Sequence, residues 1–315
     1  MAANATVSFH AGDVQKYLNL FIGVLTVTLA LFSWLLILKG RSMSKRQKVC
    51  FCALLLTDTL LGLQVVIIRL IPFDYNSDHI ICFLRLYLGL VLNVLTCLSS
   101  VLMTAERFFV MYKPLTFNRH ITWQRLAYCI VMFWIFAVCL IFGLFHKGFG
   151  GQAVCQFWTC GDINGYIVVS VLDLTCYIIV LCMYAYIVKV TRRHFRMIAA
   201  TMIGDVVAEN VHKLTKKGHR TNITVGIIIF AFGISYIPMN SYSFYYALAF
   251  TQEERINIES TNQTFTILLG LFLINSLVNP IVYIWRLKRC RQEIVNWLLC
   301  RLVTIDETTT TQLES

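Results

Sequence analysis

The chain has 315 residues, 58% of them hydrophobic and 14% charged, with a mean hydropathy of +0.69. Disordered chains pair few apolar residues with many charges and soluble domains carry about 25% charge, so this composition rules out disorder and argues against a soluble enzyme. Lys and Arg outnumber Asp and Glu by 27 to 16. In so apolar a chain the excess of +11 asks which side of a membrane is positive and does not point to nucleic acid.

A helix crosses the roughly 30 Å hydrocarbon layer with about 20 mostly apolar residues. Seven stretches meet that requirement, in chain order 17–38, 49–68, 86–105, 126–145, 163–188, 221–252 and 260–285. The second contains one charge, Asp58, and the fifth contains Asp173; the others contain none. Residues 1–16 are polar and lack an apolar stretch of their own, so the first span is expected to stay as an anchor. Continuous apolar runs exclude the short alternating strands of a membrane barrel, and no repeat relates the two halves as in many transporters.

Seven spans put the termini on opposite sides. Of the 27 basic residues, 22 fall in the first, third and fifth loops, their helix ends and the segment after span seven. The other side holds Lys16, Arg69, Arg85, Lys147 and Arg255. Basic loops stay cytoplasmic, so the N-terminus is expected outside and the C-terminus inside. The expected fold is all-α, a seven-transmembrane helix bundle over 17–286. It follows an extracellular N-tail (1–16) and precedes an amphipathic inner-face segment (287–300) and a cytoplasmic tail (301–315).

Asn4 and Asn262 each begin an Asn-x-Thr glycosylation sequon on the expected outer side, while Asn222 begins a chance match on the inner side. Cys50, Cys52, Cys97, Cys129, Cys139, Cys176 and Cys182 lie in spans and are expected as small buried hydrophobes. Cys82, Cys155 and Cys160 face the oxidising side, enough for one bridge and one remaining thiol. Cys300 follows the basic segment after span seven, either as a palmitoylation site or as a plain reduced thiol.

Charges in mid-membrane cost roughly 2.5–3.5 kcal/mol, so each asks for a function. Asp58 sits mid-span in Leu-Thr-Asp58-Thr-Leu, and span three ends in Ala105-Glu106-Arg107-Phe108. Span six contains Ser235-Tyr236-Ile237-Pro238, and span seven contains Asn275-Ser276 and then Asn279-Pro280-Ile281-Val282-Tyr283.

With the seven spans in order, these residues resemble the rhodopsin-like G protein-coupled receptors over essentially the whole chain. Each motif is weak alone; their conjunction is specific. The resemblance implies that Glu106 restrains Arg107 at rest and that Arg107 swings toward a G protein on activation. It implies switch roles for Tyr184, Tyr236, Pro238, Asn279, Pro280 and Tyr283, the prolines permitting kinks and two discrete packings. It places Asp58 in a polar core with Thr96, Asn275, Ser276 and Asn279, either as a site for an allosteric sodium ion or as a hydrogen-bonded network without one. Cys82 lies 25 residues before Arg107, the family's spacing for its outer bridge, with Cys155 or Cys160 as partner. The segment 286–299 looks like the family's amphipathic eighth helix, with Ile294, Trp297 and Leu298 on one stripe.

The chain also departs from the family pattern. Ala30 stands where span one usually has an asparagine, Tyr236 where span six usually has tryptophan, and Phe108 where tyrosine follows the arginine. Cys176 holds the place of the span-five proline, and Gly218 that of the acid which in many members pairs with the arginine. Raised ligand-free signalling is expected from the missing lock. Gly89 occupies the position of the amine-binding aspartate and Leu273 that of the retinal lysine, which argues against both ligand classes.

For the ligand pocket the candidates are Arg69, Arg85, Gly89, Asn93, Asp173 and Tyr242, with Phe244, Tyr245 and Tyr246 as further aromatics. The two arginines would receive a carboxylate or phosphate, or else snorkel or pair with Asp74 and Asp78. Asp173 would meet a cationic ligand group or its own neighbours. The expected partners are an extracellular ligand, a heterotrimeric G protein, membrane lipids at the basic inner rim, and arrestin at a tail phosphorylated on residues such as Thr308 and Ser315. A transporter or channel, and a decoy receptor that does not couple, are the competing readings. An integral-membrane enzyme would need paired catalytic groups at one depth. The seven histidines lie near span ends or in loops and form no metal-spaced motif.

Overall fold

The computed structural model describes residues 2–39, 44–70, 79–112, 121–146, 163–201, 227, 229–245, 258–286 and 292. They form seven helices: α1 (Ala2–Lys39), α2 (Lys45–Leu70), α3 (His79–Tyr112), α4 (Trp123–Phe145), α5 (Ile163–Thr201), α6 (229–245) and α7 (Ile258–Arg286). Helices satisfy every interior backbone group within the segment, which hydrocarbon demands. Among the described residues α1 to α5 are long and apolar enough to cross a membrane, and α7 holds a shorter apolar stretch, Ile267–Val282.

α3 is the central post. It packs against α2, α4 and α5, while α7 closes onto α1 and α2. Half of the apolar window of α3 is buried, against 17% for α4, whose Tyr128, Met132 and Ile135 point outward. Large exposed apolar surface of this kind is what lipid covers. Cys129, Cys139 and Cys182 lie on this outer surface as well, a correction to the expectation that they are buried; Cys50, Cys97 and Cys176 are buried. Lipid solvates a thiol on an outer helix face as readily as a leucine, so hydropathy alone does not sort the two positions.

Helix lengths also differ from the apolar runs. α1 begins at Ala2, so residues 2–16, expected as a tail, continue the first helix. Its 38 residues measure about 57 Å, nearly twice the hydrocarbon thickness. α5 likewise carries Lys189, Arg192, Arg193 and Arg196 beyond the apolar run. At the other end of α4, Thr122 caps the helix and its hydroxyl accepts from the Arg125 amide, while Arg46 of α2 donates to the Ile121 carbonyl at 3.1 Å.

Lipid gives helices no hydrophobic reason to associate, so close backbone approach matters. α1 and α2 touch at a glycine pair. A Cβ on Gly62 would lie 3.1 Å from the Gly23 carbonyl oxygen and 3.0 Å from Val27. The obstacle is backbone, so the helices themselves would have to part. Gly62→Leu is therefore expected to destabilise the bundle by about 1–3 kcal/mol. A lowered apparent melting temperature of detergent-purified protein would read this out; an unchanged one would show that the contact is dispensable.

Candidate functional site

The middle of the bundle holds a buried polar layer. Asp58 on α2 is completely buried, and Asn279 on α7 donates to its Oδ2 at 3.0 Å. Asn275, Ser276 and Asn279 recur at helical spacing, so one face of α7 is turned inward; all three are at most 2% exposed. Ser276 lies beside the Asp58 carboxyl, and Asp58 Oδ1 and Ser276 Oγ are both buried and outside good hydrogen-bond geometry. Thr96 is also fully buried, and its hydroxyl proton goes to the Leu92 carbonyl of its own helix. Ala30, in place of an asparagine, is fully buried among apolar neighbours that include Leu54 and Val282.

Pro280 lies inside α7 and cannot donate to the helix ladder. Its carbonyl accepts from Ser33 of α1 at 3.3 Å, which fastens α7 to α1 at the weakened turn. Pro238 is half-buried in α6. Tyr236, just before it, is the centre of an aromatic column. Its ring stacks on Phe232 at 4.0 Å and meets Phe272 of α7 edge-on at 5.2 Å, while Phe232 in turn meets Tyr177 of α5 at 5.7 Å. The Tyr236 hydroxyl is buried beside Cys97. An aromatic therefore fills the position that tryptophan usually holds, with its polar atom set against the Cys97 thiol.

Toward the C-terminal end of α3, Glu106 is 5% exposed and Arg107 is half-buried, its guanidinium 5.6 Å from the Phe51 ring centroid of α2. Phe108 needs no hydroxyl here, because its ring packs between Tyr112 at 5.7 Å and Tyr186 of α5 at 5.0 Å. Tyr184 packs beside Val180 and Ile229, at the seam between α5 and α6.

Nearer the N-terminal end of α3, Asp173 on α5 is 2% exposed and bonds to that helix: Asn93 donates to its Oδ2 at 2.8 Å and the Cys97 thiol to its Oδ1 at 3.1 Å. Of the two readings left open for Asp173, its own neighbours take both oxygens. The Arg85 carbonyl accepts from Gln64 of α2 at 2.7 Å, and the same Gln64 side chain lies against Gly89. Tyr242 packs against the main core, whereas Phe244 and Tyr245 are 40% and 64% exposed and leave the interior.

Sequence reading missed Cys97, Phe232 and Phe272. The four-residue spacing from Asn93 to Cys97 was the available signal for the first. The side chains of Asn4, Arg69, Cys82, Asn262 and Tyr283, and the whole of Cys155, Cys160, Gly218 and Cys300, lie outside the described residues, as do the inner-face helix apart from Gln292 and the tail.

A central helix with an arginine near its C-terminal end, a buried carboxylate tied to a proline-bearing α7, and an aromatic column joining α5, α6 and α7 are set in one apolar helical bundle. Residues 30–283 match the model of the 7 transmembrane receptor (rhodopsin family). The chain belongs to that family and is a G protein-coupled receptor, not an enzyme. It is similar to the histamine H2 receptor of Cavia porcellus, 23% identical with 96% of this chain and 86% of the relative covered. The histamine H2 receptor of Homo sapiens is 23% identical over 80% of this chain and 70% of its own length. G-protein coupled receptor 52 of Mus musculus is 25% identical over 72% and 64%.

Proposed function

We propose that this receptor sits in the plasma membrane with its N-terminus outside. It receives a ligand in the outer half of the bundle and passes the change to a heterotrimeric G protein through Tyr236, Asn279 and Arg107. The Asn279–Asp58 bond carries this reading, because it joins the proline-bearing helix to the polar core one layer above Arg107. Arg85, Gly89 and Tyr242 border the ligand side, above the Asn93–Asp173 pair. The ligand of the histamine-named relatives does not transfer: Gly89 offers no carboxylate to an ammonium group at the family's position. The inner rim meets anionic lipid, and the phosphorylated tail recruits arrestin.

Gly218 stands where many members of the family carry an acid, and signalling without ligand is expected. A panel of G-protein activation sensors in cells expressing N-terminally epitope-tagged receptor tests the reading. Antibody reaching the tag on intact cells and a ligand-free signal above mock-transfected cells in at least one sensor support it. Mock-level signal in every sensor at confirmed surface expression overturns it.

Asp58 Oδ1 and Ser276 Oγ, buried side by side and outside good hydrogen-bond geometry, suit a small hard cation. We assign a sodium ion to them, where it would favour the resting packing by neutralising the carboxylate. Replacing potassium chloride by sodium chloride at fixed ionic strength is expected to raise the apparent melting temperature of the purified wild type and to leave Asp58→Asn unmoved. An equal response in the two proteins would exclude the site.

A further inference from the structure

Asp173 does more than satisfy itself. Its two carboxylate oxygens accept from Asn93 and Cys97, which stand four residues apart on one face of α3. One α5 side chain is thereby tied to two successive turns of the central helix. The third helix of the switch meets the same point: Asn240 of α6, itself buried, lies against the carboxylate, and Tyr236 lies beside Cys97. Hydrogen bonds to a carboxylate in a dry interior hold only over a narrow range of distance and are costly to break. A sliding of α5 past α3 by a fraction of a turn would break both.

The two helices also meet toward the C-terminal end of α3, where Tyr186 packs on Phe108 and Tyr112 and the Thr191 hydroxyl donates to the Met111 sulfur at 3.6 Å. α5 runs unbroken from Ile163 to Thr201 with no proline, and buried Cys176 occupies the place where the resemblance expects one.

We propose that Asp173, with Asn93 and Cys97, is a latch that fastens α5 to α3 at the level of Tyr236 and holds the receptor in its resting packing. Asp173 is a positioning residue: it acts on signalling through the register of α5 against α3. This inference rests on the receptor reading above.

A donor–acceptor exchange tests it. Asn93→Asp sets two carboxylates against each other. Adding Asp173→Asn restores the pattern in reverse, since the amide introduced on α5 donates to the carboxylate introduced on α3 and still accepts from Cys97. Two readouts are taken at matched surface expression. One is the ligand-free G-protein signal. The other is the alkylation rate of Cys97 in purified receptor, followed by peptide mass spectrometry, which needs no coupling. Asn93→Asp is expected to shift the equilibrium away from the latched packing by about tenfold and to raise both readouts. The double variant is expected to return both toward wild type. Asp173→Asn alone conserves volume, gives a smaller rise, and serves if Asn93→Asp fails to fold. The latch is overturned if the single variants leave Cys97 as protected as in wild type, or if the double variant is as disturbed as Asn93→Asp. A Cys97 pattern that follows the exchange in a receptor with no G-protein signal would uphold the latch and refute the coupling reading.

Discussion

Arg107→Ala is expected to reduce ligand-free and ligand-driven G-protein activation to the level of mock-transfected cells while the receptor still reaches the surface. Alanine is the best helix former, so α3 continues through the change to Tyr112. The wild-type side chain is half-buried, with its guanidinium over Phe51, and contributes little to the apolar core that includes Leu54, Leu55 and Met103. What the variant loses is a planar cation with five donors near the C-terminal end of the central helix. On the proposed reading, a G-protein segment entering there would use those donors for its carbonyl and carboxylate groups. Arg107→Lys keeps the charge but not the fork, and an intermediate signal is expected from it. Dose–response curves from the sensor that responds to wild type check all three proteins. Full activity in Arg107→Ala would remove this residue from the mechanism.

The second large effect is at the polar core. Asn279→Ala takes away the side-chain donor to Asp58 and leaves a completely buried carboxyl group without it. Removing one partner of a buried charged hydrogen bond costs about 2 kcal/mol, more than the bond contributes when both partners are absent. Asp58→Ala alone strands the Asn279 amide. The double variant strands neither, so its loss is expected to fall short of the sum of the single losses by about 1–2 kcal/mol. Apparent melting temperatures in sodium-free potassium buffer give the comparison without interference from a bound ion. Strict additivity would mean that the 3.0 Å contact contributes nothing.

Most of this architecture is readable before any coordinates. A 20-residue apolar run has few alternatives to a spanning helix. The few polar residues that interrupt such runs stand out because burial there is costly, which is how Asp58 and Asn279 are found separately and then expected together. Hydropathy does not say which face of a helix is turned inward. Cys129 and Cys139 read like Cys97, yet they face outward, and Phe244 and Tyr245 read like Tyr242 but leave the interior. The Asp173–Asn93 contact spans 80 residues and two helices, so only the mutual rotation of α3 and α5 decides it. α1 is longer than its apolar run because residues 2–16 are polar yet helical, and a hydropathy window registers only the part that lipid can hold.

The most direct measurement is nucleotide exchange on purified heterotrimeric G proteins, one class at a time, with the receptor reconstituted in lipid nanodiscs. Wild type is expected to accelerate exchange on at least one class without added ligand, and Arg107→Ala to leave every class at the receptor-free rate. Folded wild-type receptor that accelerates exchange on none of them, or Arg107→Ala matching wild type, would contradict the account.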